Sequence, residues 1–479
     1  MSRRVTRLAP TAVVALTILF GVAGCGGQSA QLDAQERERS TETDVPFTSC
    51  DDAKCTGEID GAAYEIQMPD TWNGTLLIYS HGYRAAAPQP PDFDPVDTTP
   101  APAPSEEVGA ELLSQGYALA GSAFASNGWD VVDGVAAGEA LHEYFVDEIG
   151  EPDRTYVWGD SLGGLITQTL AEKHLDWVSG AAPLCGVMAG GNLNLDLALD
   201  VAYAVKTLIY PDLKLTGFAS HDEAVENWQG AYDAMTEAGG DLEKGVPSIL
   251  LIAALADAPT QTKTYDGATI ESQVRARAES ILTALGYGTY GRYEIEQRVG
   301  GNPSGNEDVD YSARVSEDEQ ALIEQVSPGA TRDLLASIQN GERVTADPAA
   351  RAKFDRMGNP TGNLQDPTLT MHTTADPLAL VQNQGVFADR VGEARERTGD
   401  LVQIYVTPPR SYSEDTGAPY GAGHCNFTTD QRVAAVTLLD QWVRKGVFPA
   451  PRAISEAFGD DEAVTQTYQP GPWPAEVAP

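Results

Sequence analysis

The run Thr155-Tyr156-Val157-Trp158, the pentapeptide Gly159-Asp160-Ser161-Leu162-Gly163 and the stretch from Gly164 to Ala171 follow one another without a gap. The first is β-branched and aromatic and reads as a strand, while the last has helical character. A strand that enters a helix through G-x-S-x-G leaves a chain few folds to choose from. The two glycines permit a sharp turn without side-chain clashes. Such a turn lifts Ser161 Oγ out of the sheet and sets it at a helix N-terminus, where developing negative charge is favoured. The competing use of these residues is a serine that caps a helix after a tight turn.

Elsewhere strand and helix patterns alternate, as in an open, mostly parallel α/β sheet flanked by helices. Strands are expected at 61–68, 74–79, 117–123, 178–184, 369–374 and 401–406, with helices at 131–149, 378–397 and 427–445. In the last of these Val433, Val436, Leu439 and Trp442 recur at helical spacing and are core residues. The stretch 186–365 is mostly helical by pattern and too long to be a structureless loop in a compact domain. It is expected to form a helical cap over the active-site edge of the sheet. Its aromatics (Tyr203, Tyr210, Phe218, Trp228, Tyr232, Tyr287, Tyr290 and Tyr293) should mostly fill the cap core, with a minority at a substrate pocket. A second irregular segment, Ala85 to Ser105, is rich in Pro and Ala and should overhang the same mouth. The expected organisation is a core at 50–185 and 366–449, the cap at 186–365 and a C-terminal tail at 450–479.

At the N-terminus, Arg3, Arg4 and Arg7 precede the apolar stretch from Ala12 to Phe20, the pattern of a secretory signal peptide. Val22-Ala23-Gly24-Cys25 then resembles a bacterial lipobox, which implies cleavage before Cys25 and its lipidation. Residues 26–49 are polar and read as a flexible tether. Lys and Arg total 31 against 70 Asp and Glu, a net charge of −39. So acidic a chain is a poor ligand for nucleic acid or an anionic bilayer, so membrane contact is expected only through the lipid anchor. Four further cysteines belong to a chain read as exported, where thiols oxidise. Three pairings are open; the expected one is Cys50–Cys55, which closes a small loop, with Cys185–Cys425, both at ends of predicted core elements.

A serine nucleophile needs a base and an acid to orient it. On a fold of this kind the chain order is Ser, then Asp or Glu, then His. Only His372 and His424 follow the cap. His372 sits inside a predicted strand and is read as a packed imidazole. His424, in Gly421-Ala422-Gly423-His424-Cys425, stands in a glycine-rich loop before the closing helix and is the expected base. The expected acid is Asp376, just past the strand at 369–374, with Asp366 and Asp400 as alternatives. Asp160 is read as structural. The oxyanion donors should be the backbone N–H of Leu162 and that of Tyr83, in His81-Gly82-Tyr83 after an early strand.

These motifs (HGY after a strand, GDSLGG, TADP after a later strand, GHC before the last helix) occur in the order found in the α/β-hydrolase superfamily. The chain resembles that superfamily over roughly residues 56–185 and 366–446. The resemblance implies an α/β-hydrolase fold and a serine esterase mechanism, with Ser161, Asp376 and His424 as the triad. There is also a likeness to tannases and feruloyl esterases, in which a disulfide joins the residues beside the catalytic Ser and His. Cys425 stands beside His424 as there, but Asp160 rather than Cys precedes Ser161. Cys185 could act analogously from the next strand.

The expected function is therefore extracellular ester hydrolysis on a small-molecule or polymeric ester. The alternatives are a serine aminopeptidase, an acyltransferase and a non-catalytic binding lipoprotein. No metal or organic cofactor is expected: no P-loop, dinucleotide fingerprint or C-x-x-C zinc motif is present in the sequence.

Overall fold

The computed structural model describes residues 49–50, 53–173, 175–394, 399–416 and 419–474. The expected signal peptide, Cys25 and nearly all of the tether lie outside them. Ten strands form one sheet in the order β1-β2-β3-β5-β4-β6-β7-β8-β9-β10. β1 (Ser49–Cys50), β2 (Lys54–Ile59) and β3 (Ala62–Gln67) form an antiparallel edge, and β3 joins β5 (Ala118–Ser122) antiparallel. From β5 onward the strands run parallel: β4 (Thr75–Ser80), β6 (Arg154–Asp160), β7 (Val178–Leu184), β8 (Thr368–Thr373) and β9 (Leu401–Val406). This mostly parallel order with antiparallel edges, and with the serine turn after the central β6, is the α/β-hydrolase fold.

Every residue of β4 and β8 is buried, as a strand covered on both faces requires. Alternate side chains feed two cores. Leu76, Ile78 and Val157 join one with α2 (Val131–Glu148) and α3 (Leu162–Ala171). Leu77, Tyr79, Tyr156 and Trp158 join the other with α1 (Glu106–Ser114) and the closing helix Thr429–Lys445.

Between β7 and β8 the chain is helical, as the pattern predicts. α4 (Gly190–Leu208), α5 (His221–Ala238), α6 (Gly245–Leu255), α7 (Ile270–Gly286) and α8 (Arg292–Val299) are followed by α9 (Glu317–Val326), α10 (Ala330–Asn340) and α11 (Pro348–Asp355). α6 is buried along its whole length at the centre of a separate apolar core, which is why its sequence is apolar on every face. A π-helical turn, Tyr287–Gly291, joins α7 to α8.

Four differences from the sequence reading have local causes. The helix expected at 378–397 is α12 (Gln382–Glu393); Asp376 Oδ1 accepts the N–H groups of Leu378 and Ala379, both at 2.9 Å, and holds that stretch as a turn. Residues 395–398 lie outside the described set. The closing helix, α13, starts at Thr429 because Thr428 and Gln431 form a reciprocal capping box. β2 is an addition; it turns into β3 through Asp60 and Gly61, both at positive φ. The segment read as a tail extends the fold: α14 (Pro451–Ala457) is followed by β10 (Val464–Thr465), which pairs with β9, and Trp473 is fully buried.

Candidate active site

Ser161 ends β6 and begins α3 at φ +62°, a conformation that L-residues avoid unless the surroundings impose it. Close packing imposes it here. A Cβ built on Gly163 would fall 2.0 Å from the Ser80 carbonyl oxygen, and one on Gly159 2.4 Å from the same atom. Both glycines are therefore required for β4 to lie against the turn. Ser161 occupies the N-cap position, yet its side chain makes no capping hydrogen bond. Its Oγ donates instead to His424 Nε2 at 2.6 Å. This separates the two readings of the motif in favour of a hydroxyl held by an imidazole.

The other ring nitrogen, Nδ1, donates to Asp376 Oδ2 at 2.8 Å. Burial alone would depress the His424 pKa, but the Asp376 charge and hydrogen bond outweigh it and hold the imidazole above its ordinary value. For Asp376, burial pushes upward, and the facing His424 more than offsets it, so the carboxyl sits below its ordinary range. The structure thus brings together Ser161, His424 and Asp376. Asp366 and Asp400 precede β8 and β9, at the opposite strand ends.

His372 is fully buried in β8, as expected, and kept neutral by that burial. Its Nε2 donates to the Ala379 carbonyl at 2.8 Å, and Gln384 Nε2 donates to its Nδ1 at 3.2 Å. It thereby pins the turn that carries Asp376. His81 is also buried; its Nδ1 donates to the Gly82 carbonyl at 2.7 Å and its ring stacks on Phe124. Desolvation, then the Arg84 charge, lowers its pKa to about 4, so it stays neutral.

The expected oxyanion donors lie on two sides of the serine. Leu162 opens α3, where the first N–H groups have no partner within the helix. Tyr83 follows Gly82, whose built Cβ would stand 3.2 Å from Ser161 Cβ. Tyr83 and Leu162 border one cavity with Ser161.

Three ties hold the loop bearing His424. Cys425 is disulfide-bonded to Cys185 at the end of β7, with 5.4 Å between Cα atoms. Asn426 donates to the Tyr420 and Gly421 carbonyls at 3.1 and 2.8 Å. Arg432 of α13 donates to Asp160 Oδ2 through Nη2 (2.7 Å) and Nε (3.2 Å), and to the Cys425 carbonyl at 2.9 Å. Asp160 is structural, as expected, but its partner carries no sequence signal. At the N-terminal edge Cys50 lies opposite Cys55 in the ladder, and Cys55 is disulfide-bonded; the side chain of Cys50 is outside the described set.

The cavity at Ser161 is a chamber of about 90 Å³. Its walls are aliphatic and aromatic, among them Val187, Leu195, Ala198, Ile295 and Leu380, and Asn194 is the one amide. Among the described residues no charged side chain lines it.

No protein-family model matches the chain. By sequence it is similar to an o-phthalyl amidase from Xanthobacter agilis, 24% identical, over 83% of this chain and 90% of that protein. Solved structures to which it is similar include the rice cell wall degrading esterase LipA from Xanthomonas oryzae (14% identity, 82% and 90% of the two chains, TM-score 0.36). Feruloyl esterase B from Aspergillus oryzae is similar at 15% identity, 85% of each chain and TM-score 0.36. A proline iminopeptidase from Mycobacterium smegmatis is similar at 12% identity, 84% and 99% of the chains and TM-score 0.34.

Proposed function

We propose that this chain is a serine hydrolase that cleaves carboxylic esters through an acyl-enzyme. The observation that carries the reading is the continuous chain of hydrogen bonds from Ser161 Oγ through His424 to Asp376. Ser161 Oγ attacks the ester carbonyl as His424 Nε2 takes its proton. The N–H groups of Leu162 and Tyr83 receive the oxyanion. His424 then protonates the departing alcohol oxygen, and the acyl group stays on Ser161. Water, deprotonated by the same nitrogen, releases the acid and restores the serine. Asp376 keeps the proton of the neutral imidazole on Nδ1 and stabilises the imidazolium.

Amide hydrolysis by the same groups is the second reading, and the sequence similarity to an amidase favours it. An aminopeptidase has less support. It needs a carboxylate for the free amine; among the described residues none lines the chamber, and Glu279 of the adjoining groove is engaged by Thr262 Oγ1. We further propose that the protein is exported and held at the membrane through lipidated Cys25; the first 25 residues and the disulfide-bonded Cys185 and Cys425 support this. Among the described residues no helix is long and apolar enough to cross a membrane.

The test is turnover of p-nitrophenyl esters from acetate upward beside aminoacyl anilides, for the wild type and Ser161→Ala. Ester turnover abolished by the substitution is the expected result. Turnover of anilides alone would overturn the ester reading, and failure of a fluorophosphonate to label Ser161 would overturn the enzyme.

A further inference from the structure

The chamber at Ser161 adjoins a second, larger space. Tyr83, Tyr287 and Leu378 border both, and the Tyr83 and Tyr287 rings meet edge to face at 5.5 Å, forming a threshold. Beyond it lies an open groove of about 730 Å³. One wall is the Pro-rich segment, with Gln89, Pro90, Pro91 and Phe93. The other is α5, α7 and the π-helical turn. Trp228 packs on Tyr232 at 5.4 Å and on Tyr290 at 6.0 Å, making a continuous aromatic floor. Tyr232 and Phe93 are 41% and 51% exposed, so much of their surface faces solvent rather than core.

The two spaces differ in size and in chemistry. The chamber, even with the 40 Å³ apolar recess that shares Leu197, Ala284 and Leu380 with it, is smaller than the roughly 150 Å³ cavity that takes a benzene ring. It fits a short aliphatic acyl group. The groove is too large for that and differently lined: tyrosine rings with hydroxyl edges, a tryptophan, and the amides of Gln89 and Gln229. Aromatic faces with polar edges suit a ligand with C–H faces and hydroxyl edges, which is the build of a sugar ring. Charge points the same way. Glu279, a carboxylate on the groove, accepts from Thr262 Oγ1 at 2.8 Å, and among the described residues no Lys or Arg lines either space.

We infer that the substrate is a two-part ester, with a short neutral acyl group in the chamber and a neutral glycosyl group, as the alcohol, in the aromatic groove. The inference rests on the ester-hydrolase reading of Ser161. The groove is assigned to the alcohol because it shares Tyr83, Tyr287 and Leu378 with the chamber that holds Ser161. Two sequence features that the triad leaves unused, the Pro-rich segment and the cap aromatics, form its walls.

The experiment compares O-acetylated cellotetraose with p-nitrophenyl acetate, in the wild type and in Phe93→Ala/Tyr232→Ala. Both side chains are exposed, so their loss leaves the core intact. The ratio of kcat/KM on the sugar ester to that on p-nitrophenyl acetate should fall about tenfold or more. An unchanged ratio would overturn the inference. So would an equal fall with naphthyl acetate, which would assign the groove to aryl rings, or a changed acyl-chain-length profile, which would assign it to the acyl group. Binding of unmodified cellotetraose to Ser161→Ala, read by tryptophan fluorescence, tests the groove without chemistry. Retained binding with no ester turnover in the wild type would sink the hydrolase reading alone, and absent binding would sink the groove assignment.

Discussion

Replacing Arg432 with methionine keeps an unbranched apolar stem and removes the charged head. The guanidinium and the Asp160 carboxylate are 13% and 11% exposed, so the variant leaves a largely buried anion without its partner. Breaking such a pair costs about 3–5 kcal/mol. The folded unit, Pro46–Pro479, has an unfolding entropy near 0.9 kcal/mol/K at about 2.1 cal/mol/K per residue, so Tm should fall by roughly 3–6 °C. The kinetic signature is more specific. Asp160 raises the His424 pKa and Arg432 lowers it. Without Arg432 the upward pull is unopposed, His424 stays protonated to higher pH, and the acid limb of kcat/KM moves up. The lost hydrogen bond to the Cys425 carbonyl also frees the histidine loop, and a displacement near 1 Å costs about 100-fold in rate. Adding Asp160→Asn removes the stranded charge and should return the limb to its wild-type position, together with most of the Tm. The assay is the pH profile of p-nitrophenyl acetate hydrolysis for wild type, single and double variants. A limb that stays put or moves to lower pH in Arg432→Met would refute the electrostatic account. A double variant no better than the single would refute the role given to Asp160.

In the wild type, the raised His424 pKa places the acid limb above the ordinary imidazole value of 6.5; the base is neutral only above that pKa, so a limb below 6.5 would contradict the pairing with Asp376. The same two groups link pH to stability in opposite directions. The His424 contribution is complete below its unfolded pKa and is lost as pH rises through the folded one; that of Asp376 is complete above its unfolded value and is lost as pH falls through the depressed folded one. Thermal scans across the pH range should show both losses. Cys185→Ala/Cys425→Ala opens a loop of 240 residues; chain entropy sets the loss at about 5 kcal/mol, and an unchanged Tm would show that the bridge does not constrain the unfolded chain. Gly82→Ala must push the 81–83 loop off Ser161 Cβ and the Asp160 carbonyl, 3.2 and 3.3 Å away. A fall in kcat of about tenfold or more with KM little changed is expected if the Tyr83 N–H serves the oxyanion.

The strands at 178–184 and 401–406 have the bounds that the sequence pattern predicts. Those elements are continuous apolar or clearly periodic runs, so burial and propensity agree. Where one polar group overrides propensity, the pattern misleads: the Asp376 carboxylate takes two N–H groups and delays α12 by four residues. Partly exposed edges such as β2 and β10 carry weak alternation and draw their stability from pairing with a neighbour that local pattern does not name. Periodicity placed most of the eight cap aromatics in the cap core and a minority at a pocket, without saying which. Tyr203 stacks on Tyr311 in the cap core, whereas Trp228, Tyr232, Tyr287 and Tyr290 face the groove.

The same limit applies inside the site. Ser161 meets His424 across 263 residues, Asp160 meets Arg432 across 272, and Cys185 meets Cys425 across 240. All three contacts are long-range, yet two were legible and one was not. Histidine and cysteine are scarce, six and five in the chain, and Ser161 is singled out by its G-x-S-x-G motif, so few partners compete. An Asp–Arg pair in a chain with 70 acidic residues has no such restriction. Ser161, Cys185 and Cys425 all stand at positive φ, a conformation that costs each of them free energy. They cluster where β6, β7 and the histidine loop converge, and the disulfide and the Arg432 clamp cross that point. The strain is therefore met locally by ties that fix His424 against Ser161, and a variant that cuts either tie should lose alignment before it loses the fold.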